Sequence, residues 1–404
     1  MSEKEYRQIE KASLKPAKEN PWYVLATIYG EEPDDETQYK NHQAWNSCVI
    51  STLNDKDKLA IDISSRVSLE EIPKWEGEDG IKEEITKLFK RRLPCEELPN
   101  TDTWIDFEAI NFPKKVDFRH FIFPIRASFK GSEFSEDVTF SYALFCHMVH
   151  MGNVTFAGKA EFIAVTFQEI TLFKEADFVG DAKFGFTIFK ESSNFRETRF
   201  HSQGNFYECT FSKPSNFFCA KFFKQFPELT NAVFQEKINI STGQEYWPDP
   251  KNCEQNPEQA KASCEVLRHT MNNQGLPEQA HFFFRREMQF AGRIGSLWQR
   301  LPYKLFGWLS NYGYSIYRPA FGLIVLWLGF ASVYKVFSSL SFTESLGLSI
   351  ASLFQFTGWQ RVYFSELMEC LPVWLKISAG FQTIAGIVLL FLLGLGLRNR
   401  FRFK

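Results

Sequence analysis

Three side chains that could bind a metal lie close together near the middle of the chain: Cys146, His147 and His150. Thiolate and imidazole are ligands that zinc prefers in proteins. The neighbouring residues Phe145 and Met151 belong to a regular Phe repeat, which indicates that the three side chains point outward at a corner of a repeated structure. The sequence therefore predicts no metal site here.

Motifs for catalysis and cofactor binding are absent from the sequence. The chain contains no Walker loop, no GxSxG nucleophile elbow and no HExxH zinc motif. Gly394 and Gly396 suit helix packing better than phosphate binding. We therefore expect a protein without catalytic residues and without a cofactor.

An internal repeat of eleven residues determines the structure of the central part of the chain. From position 118, alternate steps of five and six residues reach twenty positions, and nineteen of these are Phe; Met151 is the exception. A small or β-branched residue precedes most of these positions by two. The nineteen residues are Phe118, Phe123, Phe129, Phe134, Phe140, Phe145, Phe156, Phe162, Phe167, Phe173, Phe178, Phe184, Phe189, Phe195, Phe200, Phe206, Phe211, Phe217 and Phe222. The further members are Phe107 and Phe112 upstream and, after a slip of one residue, Leu229, Phe234 and Ile240 downstream.

Two structures could have this period, a right-handed helical supercoil and a β-solenoid. The segment is rich in Thr, Val, Ser, Asn and Gly and contains Pro124, Pro214 and Pro227, all of which are poor residues for a helix interior. In an extended strand, residues i−2 and i point to the same side. Each Phe and its small predecessor would then face inward together, with a corner before the next pair. We therefore predict a β-solenoid.

Units such as AEFIAVTFQEI (160–170), TLFKEADFVGD (171–181) and NFRETRFHSQG (194–204) resemble pentapeptide-repeat proteins, in the Phe-rich variant that alternates five- and six-residue faces. The resemblance implies a right-handed quadrilateral β-helix over residues 105–241, with four faces per coil and a Phe ladder inside. Some members of that family imitate DNA with an acidic surface. Residues 107–241 contain fifteen Lys plus Arg and fifteen Asp plus Glu, so we expect neither DNA mimicry nor a nucleic-acid partner.

Three regions flank the repeat up to residue 312. Residues 1–20 form a charged tail without the apolar core of a signal peptide. Residues 21–104 are expected to form a small module that contains helix, and residues 242–312 a helical hairpin that caps the solenoid and connects it onward. Eight scattered Cys residues without a CxxC pair are typical of reduced thiols in the cytoplasm.

Two segments near the C-terminus are apolar enough to cross a membrane: Pro319–Tyr334, with a possible extension to about Leu340, and Ile377–Leu397. The second, at 1.5 Å per residue, would be about 31 Å long, which matches the hydrocarbon core. The basic residues that flank the pair on its outer sides are Arg293, Arg300, Lys304, Arg318, Arg398, Arg400, Arg402 and Lys404. Positive charge on both outer flanks predicts a multi-pass inner-membrane protein with both termini in the cytoplasm.

Between the two spans, the uncharged segment 345–360 is too short to cross and predicts a re-entrant helix. Residues 313–404, with Gly380 and Gly386 on the second span, resemble the ion-channel-like domain found at the end of some pentapeptide-repeat proteins. The resemblance implies a pore loop at the candidate residues Thr357, Gly358, Trp359, Gln360 and Arg361. Potassium channels carry TVGYG in this loop. Because only a Thr, a Gly and an aromatic are recognisable here, in another register, potassium selectivity is not predicted.

Two functions of different classes follow from this layout. The first is an oligomeric ion-channel-like protein, a tetramer by family resemblance, whose cytosolic solenoid senses or docks a protein partner. The uncharged re-entrant segment favours it. The second is a non-conducting scaffold that the two spans tether to the bilayer. Arg361 and the missing second Gly of the loop favour this alternative.

Overall fold

The computed structural model describes residues 14–32, 34–53, 58, 61, 69–100 and 103–401. The chain divides into two compact units, Met1–Phe284 and Arg285–Lys404. The first unit contains a β-solenoid with helices at both of its ends. The second consists of helices, two of which are long and apolar enough to cross a membrane.

The solenoid consists of short parallel strands that stack in four sheets. Sheet A contains β1 (Lys15–Pro16), β3 (Ile110–Phe112), β7 (Glu133–Phe134), β11 (Thr155–Phe156), β15 (Asp177–Phe178), β19 (Arg199–Phe200) and β23 (Lys221–Phe222). Sheet B contains β2 (Ile105–Asp106), β6 (Ala127–Ser128), β10 (Val149–His150), β14 (Thr171–Leu172), β18 (Ser193–Asn194), β22 (Ser215–Phe217) and β25 (Ile238–Ile240). Sheet C contains β4 (Val116–Asp117), β8 (Val138–Thr139), β12 (Ala160–Glu161), β16 (Ala182–Lys183) and β20 (Gly204–Asn205). Sheet D contains β5 (Ile122–Phe123), β9 (Leu144–Phe145), β13 (Thr166–Phe167), β17 (Ile188–Phe189), β21 (Thr210–Phe211) and β24 (Val233–Phe234).

Each strand pairs with the strand one coil further along the chain. Thr155 pairs with Asp177 and Phe156 with Phe178, a register of 22 residues. Equivalent Phe rings therefore lie directly above one another, and the ring centroids of Phe156 and Phe178 are 4.6 Å apart. All nineteen Phe residues of the repeat and Met151 are buried. The predicted β-solenoid with an internal Phe stack is confirmed.

A residue with positive φ occurs every eleven residues, always within a five-residue step of the repeat. The series is Ala109, His120, Gly131, Tyr142, Asn153, Ala164, Glu175, Phe186, Glu197, Glu208 and Cys219. The shorter step leaves one residue fewer to turn the corner, and the left-handed conformation makes the tighter turn. Because this conformation costs a non-Gly residue about 1–2 kcal/mol, the stacked Phe rings and paired strands must maintain it.

The slip after Phe222 appears as one extra residue in the last coil. The pairs Phe211–Phe234 and Phe217–Ile240 are 23 residues apart in sequence instead of 22. The next left-handed residue, Asn231, follows the previous one by twelve positions. The ladder resumes after this insertion, as the sequence predicts.

Residues before the repeat cover the first coils of the solenoid through α1 (Pro21–Ala26), α2 (Asp35–Ser51) and α3 (Lys82–Arg92). Trp45 Nε1 donates to Ile122 O at 2.8 Å, and Asn46 Oδ1 accepts from Ile122 N at 2.9 Å. These bonds satisfy backbone groups of β5, the first strand of sheet D. Strand β1 extends sheet A in the same way; residues 1–13 of the expected charged tail lie outside the described residues.

The other end of the solenoid meets α4 (Pro257–Asn273) and the start of α5 (Pro277–Ala291). Asn256 caps α4 by accepting from Glu258 N at 2.9 Å. Ser263 Oγ in α4 accepts from Leu229 N of the last coil at 3.0 Å. Helix α4 therefore supplies partners for backbone groups that no further coil would satisfy. The 3₁₀ turns of the chain are Ala17–Glu19, Leu69–Glu71, Gln244–Tyr246 and Gln355–Thr357.

The second unit contains two long antiparallel helices with shorter helices between and before them. The helices are α6 (Leu297–Ser310), α7 (Tyr317–Phe337), α8 (Phe342–Leu353), α9 (Trp359–Tyr363), α10 (Ser365–Cys370) and α11 (Val373–Arg400). Asn399, near the end of α11, donates to Gly313 O just before α7 at 2.8 Å. At the opposite end, the rings of Phe337 and Trp374 are 5.2 Å apart. Helices α7 and α11 thus form an antiparallel hairpin, with mean hydropathy values of 1.8 and 2.1.

Candidate functional site in the C-terminal helices

Residues 345–353 of the predicted re-entrant segment 345–360 lie in α8, a twelve-residue helix that packs against both α7 and α11. Residues 354–360 continue through the 3₁₀ turn Gln355–Thr357 into α9. The start of α8 is fixed by a capping box: Ser341 Oγ accepts from Glu344 N at 3.3 Å, and Glu344 Oε2 accepts from Ser341 N at 2.7 Å. At about 1.5 Å per residue, α8 is about 18 Å long and cannot cross a bilayer. It therefore lies beside the two long helices as a short third helix.

Buried polar side chains hold α8 in one position between the long helices. Gln382, on α11, donates from Nε2 to Ser349 O (2.9 Å) and Oγ (2.8 Å), and its Oε1 accepts from Tyr334 OH on α7 (3.0 Å). Ser349 Oγ in turn donates to Trp327 O (2.7 Å), and Trp327 Nε1 to Leu346 O (3.1 Å). Gln382, Ser349 and Tyr334 are fully buried. In an apolar surrounding such bonds fix the register of neighbouring helices.

The last turn of α8 lies directly against α11. Thr383 Oγ1 donates to Ser352 O at 2.7 Å. A Cβ added to Gly386 would lie 3.1 Å from Leu353 O and from Leu353 Cδ1. Gly386 therefore permits the close approach of the two helices. Gly380, six residues earlier, is exposed, and an added Cβ would meet nothing within 4 Å.

The candidate pore-loop residues follow α8 in a helical rather than an extended conformation. Gly358 O accepts from Arg361 N (3.0 Å) and Val362 N (3.2 Å), and Gln360 O accepts from Phe364 N (3.2 Å). The Thr357 hydroxyl donates to Phe354 O at 2.7 Å. These carbonyl groups are engaged within the chain, whereas a selectivity filter presents a row of carbonyls to the ion.

Gly358 is the point at which the chain turns between α8 and α9. Its φ is +78°, and an added Cβ would meet no atom within 4 Å. The need for glycine is thus conformational rather than steric. Trp359 is half exposed and Gln360 is buried.

A cavity of about 320 Å³ lies between this loop and the start of α11. Its lining includes Gln360 and Arg361 from the loop and Lys376, Gly380 and Thr383 from α11. The two basic side chains give the cavity a positive charge, and among its described lining residues there is no carboxylate. Of the candidate residues, Gln360, Arg361 and Gly380 therefore line this cavity, whereas Thr357, Gly358 and Trp359 are not part of its lining. Gly386 contacts α8 instead.

Gln382, Ser349 and Tyr334 connect the three helices and were not predicted from the sequence. One signal was present, because Gln382 is the only side-chain amide in the apolar segment 377–397. An amide in such a segment is costly to bury without a partner. The partners themselves could not be identified, since they lie on two other helices.

In the solenoid, Cys146, His147 and His150 do not converge on one point. Cys146 packs against the buried cluster of Ile61, Ile122 and Leu144, whereas His147 Nδ1 faces Glu169 Oε1 at 3.1 Å. Within the residues that the structure describes, no group of three His, Cys, Asp or Glu side chains is placed to hold a metal ion.

Cys48 and Cys209 are two of the buried thiols of the first unit. Burial raises the pKa of Cys48 to about 12, and burial also raises the pKa of Cys209. Both therefore remain protonated at neutral pH and are poor nucleophiles. They act as small apolar core residues.

A polar groove of about 720 Å³ runs along sheet A of the solenoid. Its lining includes Lys130, Glu133, Asp177 and Arg199, so both signs of charge are present. Arg199 Nη2 lies 3.2 Å from the buried Asp177 carboxylate. The groove is therefore a surface of mixed charge.

No family model matches the chain, and no curated protein and no solved structure match it either. The parallel β-solenoid with its buried Phe stack is consistent with the pentapeptide-repeat fold that the sequence resembles. The two apolar helices meet the length and composition of membrane spans. Together, the solenoid and these helices are compatible with a membrane-associated repeat protein.

Proposed function

We propose that this chain is a pentapeptide-repeat protein of a bacterial inner membrane whose C-terminal helices form one subunit of an oligomeric, channel-like assembly. In this proposal α7 and α11 cross the bilayer and both chain termini lie in the cytoplasm. The solenoid, with its mixed-charge groove, docks a cytosolic protein or holds subunits in register.

The observation that carries the proposal is the seating of α8 between two apolar helices. A short helix held by buried hydrogen bonds between two long apolar helices, and followed by a loop, matches the layout of a two-span pore subunit. Two spans cannot enclose a pore alone, so several copies around an axis are required. Large apolar side chains of the loop are exposed and would contact neighbouring copies; these are Phe356, Val362 and Tyr363.

The second candidate function is a tethered scaffold that does not conduct. The engaged carbonyls of Gly358 and Gln360 favour it, as does the positive charge of Arg361. For the pore itself, the same features argue against potassium selectivity and for a non-selective pathway.

The conductance of the purified full chain in planar bilayers distinguishes the channel from the non-conducting scaffold. We expect Gly358→Val to abolish conductance, because a β-branched residue disfavours a φ of +78°, while the oligomer remains intact. The matched control is Gly329→Val on α7, where the glycine is exposed, an added Cβ meets nothing within 4 Å and φ is not positive. That variant should conduct like the unmodified protein.

A charge reversal provides a second arm of the same experiment. Arg361→Glu should raise cation conductance at low salt, and the gain should shrink in high salt, because mouth charges are screened over about 8 Å at physiological ionic strength. Unmodified protein that is folded, oligomeric and silent under voltage and membrane stretch would refute the channel and leave the scaffold.

A further inference from the structure

Helix α6 (Leu297–Ser310) exposes an apolar face although it lies outside both candidate spans. Its large exposed side chains are Leu297, Trp298, Leu301, Leu305 and Trp308. At 100° per residue these five positions fall within an arc of about 100°. Trp298 is 82% exposed and Trp308 is 73% exposed. Such a face is unusual on a helix surrounded by water.

The opposite side of α6 is the side that packs. Ser310 is buried, and Phe306 and Tyr303 are half-buried. The ring of Phe306 meets that of Tyr312 edge-on, with centroids 5.7 Å apart. The apolar residues on the exposed arc are therefore not needed for packing within the described part of this unit.

The end of α6 is fixed to the boundary of the two long helices. Arg318, in the first turn of α7, donates to Gly307 O of α6 at 2.9 Å. Gly313, between α6 and α7, accepts from Asn399 of α11 at 2.8 Å. Helix α6 therefore adjoins the level at which α7 begins and α11 ends, where a bilayer that contains the two spans would have its surface.

Charge and length identify the occupant of the face. Lys304 and Arg300 lie beside the apolar arc, at about 340° and 300° when Leu297 is placed at 0°. At about 21 Å the helix is too short to cross a membrane. An apolar face with Trp and Leu, flanked by Lys and Arg, is the pattern of a helix that lies in the membrane interface. Trp is enriched at this depth because its ring is apolar and its N–H is polar.

We propose that α6 is an interfacial helix that binds a bilayer containing anionic phospholipids, on the side where α7 begins and α11 ends. The apolar arc inserts at the boundary between headgroups and acyl chains. Lys304 and Arg300 pair with lipid phosphate groups. Helix α6, which precedes the first span in the chain, is thereby a lipid-binding site, independent of whether the assembly conducts.

Photocrosslinking of the full chain in nanodiscs tests the proposal. The nanodiscs contain phosphatidylcholine and a minor share of phosphatidylglycerol. A photoreactive benzophenone amino acid replaces Trp298 or Trp308, and in the matched control it replaces Phe186, an exposed aromatic residue of the solenoid. Mass spectrometry identifies what is attached after illumination.

We expect one phospholipid to be attached at position 298 or 308 and none at position 186. Phosphatidylglycerol should be enriched about fivefold over its share of the bilayer, the effect of about one basic side chain near the surface. The double variant Arg300→Gln, Lys304→Gln should lose this enrichment and keep the lipid adducts. Unchanged hydrogen exchange in the solenoid and in α7 and α11 shows that each variant is folded.

Two results would overturn the proposal. Crosslinked dimers of the chain without lipid adducts would show that a second copy covers the face. Lipid adducts in the same ratio as the bilayer, unaffected by the double variant, would refute the role of Lys304 and Arg300 in selecting anionic headgroups.

Discussion

Phe184 has a phenyl ring stacked on each side of it, in the middle of the solenoid. Its ring centroid is 4.8 Å from that of Phe162 and 4.9 Å from that of Phe206, with nearly parallel planes. Phe173 and Phe195, which follow two successive strands of sheet B, both meet it edge-on. One side chain thus joins three successive coils, and its loss leaves a cavity that strands on four sides cannot collapse to fill.

We predict that Phe184→Ala lowers the free energy of unfolding of the solenoid by about 3 to 5 kcal/mol. The control is Lys174→Ala, which removes an exposed ion pair with Glu175 and should cost less than about 0.5 kcal/mol. Urea unfolding of the full chain, followed by hydrogen exchange of the strand amides of residues 160–200, measures both. Equal losses in the two variants would contradict the internal ladder.

Single residues differ in how far their surroundings could be predicted from sequence. The inward direction of Phe184 follows from its place in a repeat that recurs every eleven residues. The partners of Gln382 do not follow from the sequence. Ser349 and Tyr334 belong to no repeat, and only helix packing brings them to Gln382. The left-handed φ of Phe186 was equally hidden, since residue types at the corners vary from Ala to Glu to Phe.

At the level of elements, α2 is the cap that protects the first strand of sheet D. His42 on this helix is buried against the solenoid, with its ring 5.7 Å from that of His120 and 5.1 Å from that of Tyr39. Burial, and then the nearby His120, lower the pKa of His42 to about 4; Arg119 adds to the effect. Burial also lowers the pKa of His120. The interface between the α2 cap and the solenoid therefore contains two imidazoles, His42 from the cap and His120 from the solenoid, whose neutral forms are favoured when the cap is docked.

We predict that acid loosens the α2 cap. The pKa of His42 is about 4 in the folded state and 6.5 ordinarily, so the unfolded state binds more protons between these values. The contribution of neutral His42 to the free energy of unfolding of the cap is fully present above about pH 6.5. It is lost as pH falls toward 4, by about 2 kcal/mol between pH 7 and pH 5. Hydrogen exchange of α2 amides, corrected for the intrinsic effect of pH, measures the loss.

His42→Gln is the control for this prediction, since a side-chain amide does not titrate in this range. Its cap should lose much less protection between pH 7 and pH 5 than that of the unmodified chain. If both proteins lose equal protection, another group is responsible for the acid response.

Among the elements, those with strong local signals were predictable. Asn256 and Pro257 mark the start of α4, and the long apolar runs mark α7 and α11. The structure of the loop from 354 to 372 was not predictable from the sequence, because its two short helices, α9 and α10, depend on contacts with α8 and α11. Phe364, for example, packs against Gly347 of α8, where an added Cβ would lie 2.7 Å from its ring.

At the scale of the C-terminal unit, the hairpin of α7 and α11 places the start of one helix beside the end of the other. If both cross the bilayer, Lys404 lies on one side and the loop at Phe364 on the opposite side. The basic residues at the outer flanks predict that the Lys404 side faces the cytoplasm.

We therefore predict opposite results from topology reporters fused after Lys404 and near Phe364. The first should report cytoplasm and the second periplasm. A reporter fused after Ser338, at the end of α7, serves as a control, because it should match the Phe364 reporter. A cytoplasmic signal at both internal sites would contradict a two-span hairpin.

The recurrence of left-handed corners every eleven residues, against a coil of 22, has a consequence for how this solenoid can change length. Gain or loss of 22 residues leaves every downstream side chain at its former azimuth and shifts it along the axis by about 4.8 Å. An indel of eleven residues also preserves the five-six alternation and so keeps the ladder intact. It turns everything downstream through half a revolution, however, so that a surface on sheet A would be presented on the opposite side. An indel of 22 residues therefore changes the length of the solenoid alone, whereas an indel of eleven residues also reverses the side on which the downstream surface lies.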